Sequence, residues 1–300
     1  MRGVVLAGRE LAAAIRAETA ARAAELTAAG RMPTLAVVTA TGDEASAWYV
    51  RTLARAAAKV GIACDVTDLT PADPDRPGSR DATVESIRVA LIALSENPLI
   101  NGIVLQTPLP GGARLAELAG LIDPDKDVDG ANPVSLGRLM TGLPAFAPAT
   151  AEAVLRLLDH HHVELEGRHA VVVGRSAVVG KPVAHLLLDR NATVTIAHSR
   201  TRDLTAITRQ ADVLVVAAGR THLIGRDHVT PGATVIDVGT NATPDGGLAG
   251  DVDPTVADVA ALSPVPGGVG PVTTAVLLRH VTDAASRDAG GAARTTARSE

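Results

Sequence analysis

Between the β-branched run HAVVV and the apolar stretch VAHLLL, Gly174 and Gly180 bracket the turn Arg-Ser-Ala-Val-Val. A strand that breaks into a glycine-bounded turn and restarts as a helix suits phosphate. Backbone N–H groups and the positive end of the helix dipole then face one point. The spacing is not Gly-x-Gly-x-x-Gly, so the turn alone is a weak dinucleotide signal. The next strand end adds to it. NAD-selective folds often end their second strand on a carboxylate that bonds the ribose 2′-hydroxyl. Here TVTIA runs into His198-Ser199-Arg200, with no acid. A hydroxyl and a guanidinium there, with Arg175 in the first turn, suit a 2′-phosphate and favour NADP over NAD. Solvated turn residues are the plainer alternative.

A second chemistry-bearing stretch is IDPDKDVDGANPVSLGRLMTGLPAFAPAT, residues 122–150, with four prolines and a cluster of aspartates. Read as one long loop, it is the kind of segment that carries function. The run His160-His161-His162 resembles a metal tract but has no paired ligand set, so a solvated helix end is preferred and no metal is expected. No nucleophile motif supports a Ser-His-Asp triad.

The elements that must position these residues alternate. Residues 8–29 carry Leu11, Ala12, Ile15, Ala23 and Leu26 at helical spacing, stopped by Gly30. TLAVVTA (34–40) reads as a buried strand. SAWYVRTLARAAAKVGI is a helix opened by Ser46 as N-cap and closed by Gly61. ACDVTDL, TVESIRVALIALSEN and LINGIVLQ continue as strand, helix and strand. ATAEAVLRLLDHH is the crossing helix to a second set, in which HAVVVG, TVTIAH, DVLVVAAG and TVIDVG are strands. This alternation predicts an α/β protein with parallel sheets, whose ligands gather at the carboxyl ends of strands.

Length favours two domains. The chain has 300 residues, net charge −5, 46% hydrophobic and 1% aromatic residues, so its core is built from Ala, Val, Leu and Ile. Scattered basic residues and the lack of an aromatic platform argue against nucleic acid. The single cysteine, Cys64, rules out an internal disulfide and reads as a structural thiol. No run approaches the ~18 apolar residues of a membrane span, and the N-terminus is unlike a signal peptide, so a cytoplasmic protein is expected. The Gly/Ala-rich stretch 286–300 reads as a disordered tail.

Four stretches together resemble one family. GRSAVVGKPVAHLLLDRNATVTIAHSRT, IDPDKDVDGANPVSLGRLMTG, VIDVGTN…GLAGDVD and PVPGGVGPVTTAVLL are similar to the motifs of the methylenetetrahydrofolate dehydrogenase/cyclohydrolase family, in unbroken order from about residue 5 to 282. The resemblance implies an N-terminal folate-side α/β domain (1–150 with about 273–285) and a Rossmann-like NADP-binding domain (151–272). It also implies a cleft, a C-terminal helix returning to the first domain, and a homodimer. The implied activity is NADP-dependent oxidation of 5,10-methylenetetrahydrofolate, followed by hydrolysis of the methenyl product to 10-formyltetrahydrofolate. Residue by residue, Tyr49 would pack against the folate, Gln106 would orient a catalytic lysine, and Asp129 would grip the pterin's amino-pyrimidine edge. Val50, Pro108, Leu109, Pro266, Gly267 and Gly268 would complete the substrate site. Gly174, Arg175, Ser176, Val179, Gly180, Pro182, His198, Ser199, Arg200, Ala218, Gly219, Gly239, Thr240 and Thr273 would meet the cofactor.

One position departs. The family pattern Tyr-Val-x-x-Lys places its catalytic lysine four residues after the tyrosine, where this chain has Leu53. Only three of 28 basic residues are lysines, Lys59, Lys126 and Lys181, but a drift from Lys to Arg would not give Leu. Hydride transfer depends mostly on alignment, whereas hydrolysis of the methenyl cation needs proton transfers that an alkyl chain cannot perform. The expectation is a dehydrogenase with weak or lost cyclohydrolase activity. A paralogue acting on another small molecule and a non-catalytic NADP- or folate-binding protein are the alternatives. Trp48, beside Tyr49, corresponds to no family requirement and is assigned to packing or an interface.

Overall fold

The computed structural model describes residues 3–71, 79–243 and 246–296. The chain divides into two compact units, Ile15–Ala147 with Leu277–Glu300, and Met1–Ala14 with Pro148–Val276.

The first unit carries a three-stranded parallel sheet in the order β2-β1-β3, formed by β1 (Thr34–Thr39), β2 (Ala63–Asp68) and β3 (Gly102–Leu105). The centre and one edge are buried, because LAVV and GIVL offer apolar side chains on both faces, as helix-covered parallel strands require. Helix α1 (Arg9–Ala28) precedes the sheet, and α2 (Glu44–Lys59) and α3 (Ser79–Glu96) supply its two connections. Two shorter ones, α4 (Leu115–Ala119) and α5 (Pro133–Met140), follow β3.

The second unit holds α6 (Ala149–His160), β4 (His169–Val173), α7 (Gly180–Leu188), β5 (Thr193–Ala197), α8 (Leu204–Thr208), β6 (Val213–Val216) and β7 (Thr234–Asp237). A small antiparallel hairpin, β8 (Asn241–Ala242) with β9 (Leu248–Ala249), and β10 (Ala261–Leu262) follow. The main sheet of this unit has five parallel strands, in the order β10-β7-β6-β4-β5. The first strand of this set, β4, lies between β5 and β6, so the order reverses beside it. Ligands of open α/β sheets bind at such a reversal. The long helix α9 (Val269–Thr296) begins in the second unit and ends in the first. No helix among the described residues is long and apolar enough to cross a membrane.

Four expectations change. Residues 1–14 belong to the second unit, not the first, because Val5 bridges Leu262 and the Gly8 N–H donates to the Gly267 carbonyl at 2.9 Å. The N-cap of α2 is Asp43 rather than Ser46: its carboxylate accepts the Ser46 N–H at 2.8 Å. The segment 122–150 is not wholly loop, since Asn132 caps α5 and Pro133 occupies its first turn. The stretch from 286 opens as helix, not as a disordered tail. Ser286 Oγ donates to the Thr282 carbonyl at 2.7 Å and accepts from Arg22 Nε at 3.0 Å. Residues 297–300 lie outside the described residues.

Candidate functional site

In the first unit, α2 turns a stripe of Ser46, Val50, Leu53, Ala57 and Val60 into the core. The spacing of four, three, four and three residues keeps one face inward. Leu53 lies in the middle of this stripe and is 0% exposed. Arg51, Arg55 and Lys59 occupy the exposed face. Lys126 is committed elsewhere, its ammonium donating to the carbonyls of Ser95 at 2.7 Å and Asn97 at 2.8 Å. Tyr49 is half-buried at the edge of the stripe, while Trp48 is 56% exposed. Val50, assigned to the substrate, is buried in the core, so only its backbone is left for a ligand.

The head of α2 is tied to the loop after β3. Ser46 Oγ donates to Asp43 Oδ2 at 2.8 Å and sits 3.2 Å from the Thr107 carbonyl. Gln106 follows β3 directly, and its Nε2 donates to the same carbonyl at 2.8 Å. Its amide is therefore turned onto its own loop. Pro108 is exposed after a cis peptide bond, and Leu109 is half-buried.

A third group of residues stands on the loop that enters α5. Asp127 is fully buried and accepts the N–H groups of Ala131 and Asn132, both at 2.9 Å. Burial raises its pKa, and these bonds oppose the rise. Asp129, two residues on, is half-buried. Burial and the charge of Asp127 push its pKa up to about 7, against the opposing influence of His280. Burial first, and then the charge of Asp129, raise the Tyr49 hydroxyl well above the usual tyrosine range. Tyr49 and Asp129 thus share one environment, a ring and a carboxyl half-withdrawn from water. It suits a flat ligand with paired N–H donors on its edge.

In the second unit the strand β4 ends on Gly174, whose φ is 138°. A Cβ there would strike the carbonyl of Ala217, and one on Gly180 would strike that of Gly174. Bare backbone is what lets β4, the end of β6 and the start of α7 crowd together. The turn closes on Ser176, whose carbonyl accepts the Lys181 N–H at 3.1 Å and whose hydroxyl takes that of Gly180 at 3.3 Å. Pro182 has no N–H to offer, so the first turn of α7 has less for a phosphate than the sequence suggests. Arg175 and Ser176 are exposed, Val179 is half-buried and Pro182 is buried. After β5, His198 ties the turn: its N–H donates to Thr201 Oγ1 at 2.8 Å, and its Nδ1 accepts the Arg200 N–H at 3.1 Å. Ser199 and Arg200 are left exposed at the strand end. Two exposed guanidiniums and a hydroxyl are the donor set a 2′-phosphate needs.

The turn after β6 is governed by Asp251, which the sequence analysis did not assign. Its fully buried carboxylate accepts the N–H groups of Ala218 at 2.6 Å, Gly219 at 2.8 Å and Arg220 at 2.8 Å, and the Asn241 amide at 2.9 Å. The Ala218 and Gly219 N–H groups are therefore taken, and their contacts to a cofactor fall to carbonyls and Cα atoms. Asp237, at the end of β7, accepts from Gly239, Asp251 and Val252. Burial raises its pKa against those bonds. Gly239 is buried and Thr240 exposed. Pro266, Gly267 and Gly268 belong to this unit, in a turn closed by the Gly268 N–H on the Pro264 carbonyl at 2.8 Å. Thr273, on α9, is half-buried, its hydroxyl 3.3 Å from the Val269 carbonyl. The sequence signal for Asp237 and Asp251 was the pair of acids in VIDVG and GDVD, each at a strand end or turn. No group of histidine, cysteine and carboxylate side chains among the described residues could hold a metal ion.

Comparison with known proteins covers both units. Residues 6–129 match the family described as tetrahydrofolate dehydrogenase/cyclohydrolase, catalytic domain, and residues 148–289 match its NAD(P)-binding domain. The chain is 62% identical over 284 residues to bifunctional protein FolD 1 of Saccharopolyspora erythraea, covering 94% of each. It is 54% identical over 289 residues to bifunctional protein FolD of Nocardia farcinica, covering 96% of this chain and 99% of that one. Among solved structures it resembles the bifunctional FolD methylenetetrahydrofolate dehydrogenase/cyclohydrolase of Campylobacter jejuni, with TM-score 0.88, 35% identity and coverage of 95% and 99%. It also resembles the Trypanosoma brucei enzyme complexed with NADP cofactor and inhibitor, with TM-score 0.87, 36% identity and coverage of 96% and 99%.

Proposed function

The chain belongs to the tetrahydrofolate dehydrogenase/cyclohydrolase family, and from that premise we propose that it oxidises 5,10-methylenetetrahydrofolate to 5,10-methenyltetrahydrofolate with NADP, while hydrolysing the product poorly. The observation that carries the second clause is Leu53, fully buried where the family pattern has its catalytic lysine.

The second unit fits the cofactor. Arg175, Ser199 and Arg200, all exposed, would hold its 2′-phosphate. NADP, when bound, accepts a hydride. The chain's own contribution is alignment: Asp129 grips the paired N–H donors of the pterin edge, and Tyr49 packs against the ring. Electron density from the folate's own nitrogens drives the hydride out, so this step asks for no protein base.

Ring opening of the methenyl cation asks for more. Water must lose a proton and a ring nitrogen must gain one, and Leu53 does neither. No other cation of α2 replaces it, since Arg51, Arg55 and Lys59 lie on the exposed face. Gln106, turned onto Thr107, suits a site with no lysine to orient. Homodimeric assembly and a cytoplasmic location follow from the same family reading.

The test follows the absorbance of reduced nicotinamide and of methenyltetrahydrofolate, starting from 5,10-methylenetetrahydrofolate and NADP⁺. Both are expected to rise, with the methenyl form then decaying at its background rate. Absence of NADPH formation, despite NADP binding, defeats the reading.

A further inference from the structure

In the loop Asp127-Val128-Asp129 the first two residues are anchored and buried, and only Asp129 keeps partial exposure. Asp127 is held by the two N–H groups of Ala131 and Asn132. Val128 is fully buried, its methyls filling the space that Gly102 of β3 leaves, with Val281 of α9 alongside. The Val128 carbonyl lies 2.8 Å from His280 Nδ1. A carbonyl only accepts, so Nδ1 carries the proton.

His280 has little freedom to withdraw. It is 2% exposed, and its ring lies against Phe146 with centroids 4.7 Å apart and planes tilted by 35°. Phe146, the one phenylalanine of the chain, also has the Arg287 guanidinium 4.3 Å from its centroid. An imidazole withdrawn from water is costly unless its polar atoms are used.

We propose that His280 is a positioning residue for Asp129, holding the Val128 carbonyl so that the neighbouring carboxylate is aimed at the substrate. The proposal rests on the reading of Asp129 as the pterin-gripping group. The charged and titratable groups around Asp129 are Asp127 in its own loop, Tyr49 from α2 and His280 from α9. Asp127 disfavours the ionised form, and His280 favours it in both aspartates. Only an ionised carboxylate accepts two parallel N–H donors, so the orientation and the charge of Asp129 depend on the same imidazole.

The test is steady-state dehydrogenase kinetics of the full chain across pH, with His280→Leu, His280→Asn and Asp129→Asn. His280→Leu is expected to raise KM for methylenetetrahydrofolate about three- to tenfold, the range of one lost hydrogen bond. KM for NADP⁺ should stay within about twofold. The acid limb of the 1/KM profile should move to higher pH as Asp129 loses its favourable neighbour. His280→Asn keeps an N–H donor without a titratable ring. It is expected to recover KM at high pH while retaining the shifted limb.

Equal rises in both KM values would mark His280 as a plain core residue and overturn the proposal. An unchanged folate KM and pH profile in His280→Leu would do the same. Asp129→Asn separates the two levels. If it leaves the folate KM unchanged, the reading of Asp129 itself fails. If it raises that KM strongly while His280→Leu is silent, only the role of His280 fails.

Discussion

Asp237 accepts the backbone N–H of Asp251 at 3.0 Å, so one buried carboxylate fixes the residue that carries the other. Asp251 in turn gathers the N–H groups of Ala218, Gly219 and Arg220. Asp251→Ala leaves those donors and the Asn241 amide without their acceptor. The expected loss is about 3 kcal/mol of unfolding free energy or more, read from urea denaturation. In the protein that remains folded, KM for NADP⁺ should rise more than KM for the folate. The reverse order would separate Asp251 from the cofactor side.

Placing an amine at Leu53 tests the proposed weakness of the hydrolysis. Leu53→Lys is expected to raise methenyltetrahydrofolate hydrolysis by roughly 10²–10⁴-fold over the parent's rate, the usual reach of a general acid–base group. It should also lower Tm, because an ammonium replaces an alkyl chain in the fully buried stripe of α2. A stable variant with unchanged hydrolysis would show that this position does not limit the reaction.

Folate affinity should depend on pH through Asp129. With its pKa pushed up to about 7, the carboxylate forms as pH rises through neutrality, and KM for the folate should fall over that range. The linked stability term has the opposite sense. The native state retains a proton that the unfolded chain releases near the ordinary value of 3.8. That contribution is therefore full below about pH 4 and fades as pH climbs to about 7. Asp129→Asn should flatten both trends, which kinetics and denaturation across pH will read.

Cofactor choice offers a cleaner readout than stability, because Arg200 is exposed and its removal disturbs no packing. Arg200→Ala is expected to lower kcat/KM for NADP⁺ by about 10- to 100-fold, the size of a lost charge-assisted bond, and to leave NAD⁺ turnover nearly unchanged. Equal losses with both cofactors would move the 2′-phosphate away from this strand end.

Strands were the most legible elements. HAVVV and TVTIA pair in the register His169 with Thr193 through Val173 with Ala197, as apolar runs of matched length should. Local rules fell short wherever a contact came from afar. Nothing in residues 3–8 announces a partner near residue 262, yet those contacts place the first turns of the chain in the second unit. The α5 helix was readable in principle, since Asn132 before Pro133 is an N-cap followed by a first-turn proline. Its prolines and aspartates are equally the residues of a loop, and composition does not separate the two. At the site, resemblance supplied the roles of Tyr49, Gln106 and Asp129. The scaffolding roles of Asp237, Asp251 and His280 lie mostly in bonds to residues distant in sequence, Val252, Ala218 and Val128 among them, which local rules do not foresee.

Trp48 gives this chain an optical property that a tryptophan-rich enzyme lacks. It is the single tryptophan, more than half exposed, and adjacent to the tyrosine assigned to the folate ring. Indole emission therefore arises from one point on α2, in the first unit alone. A folate seated against Tyr49 should quench or shift that emission, and unfolding of the first unit can be followed without background from the strands that serve NADP.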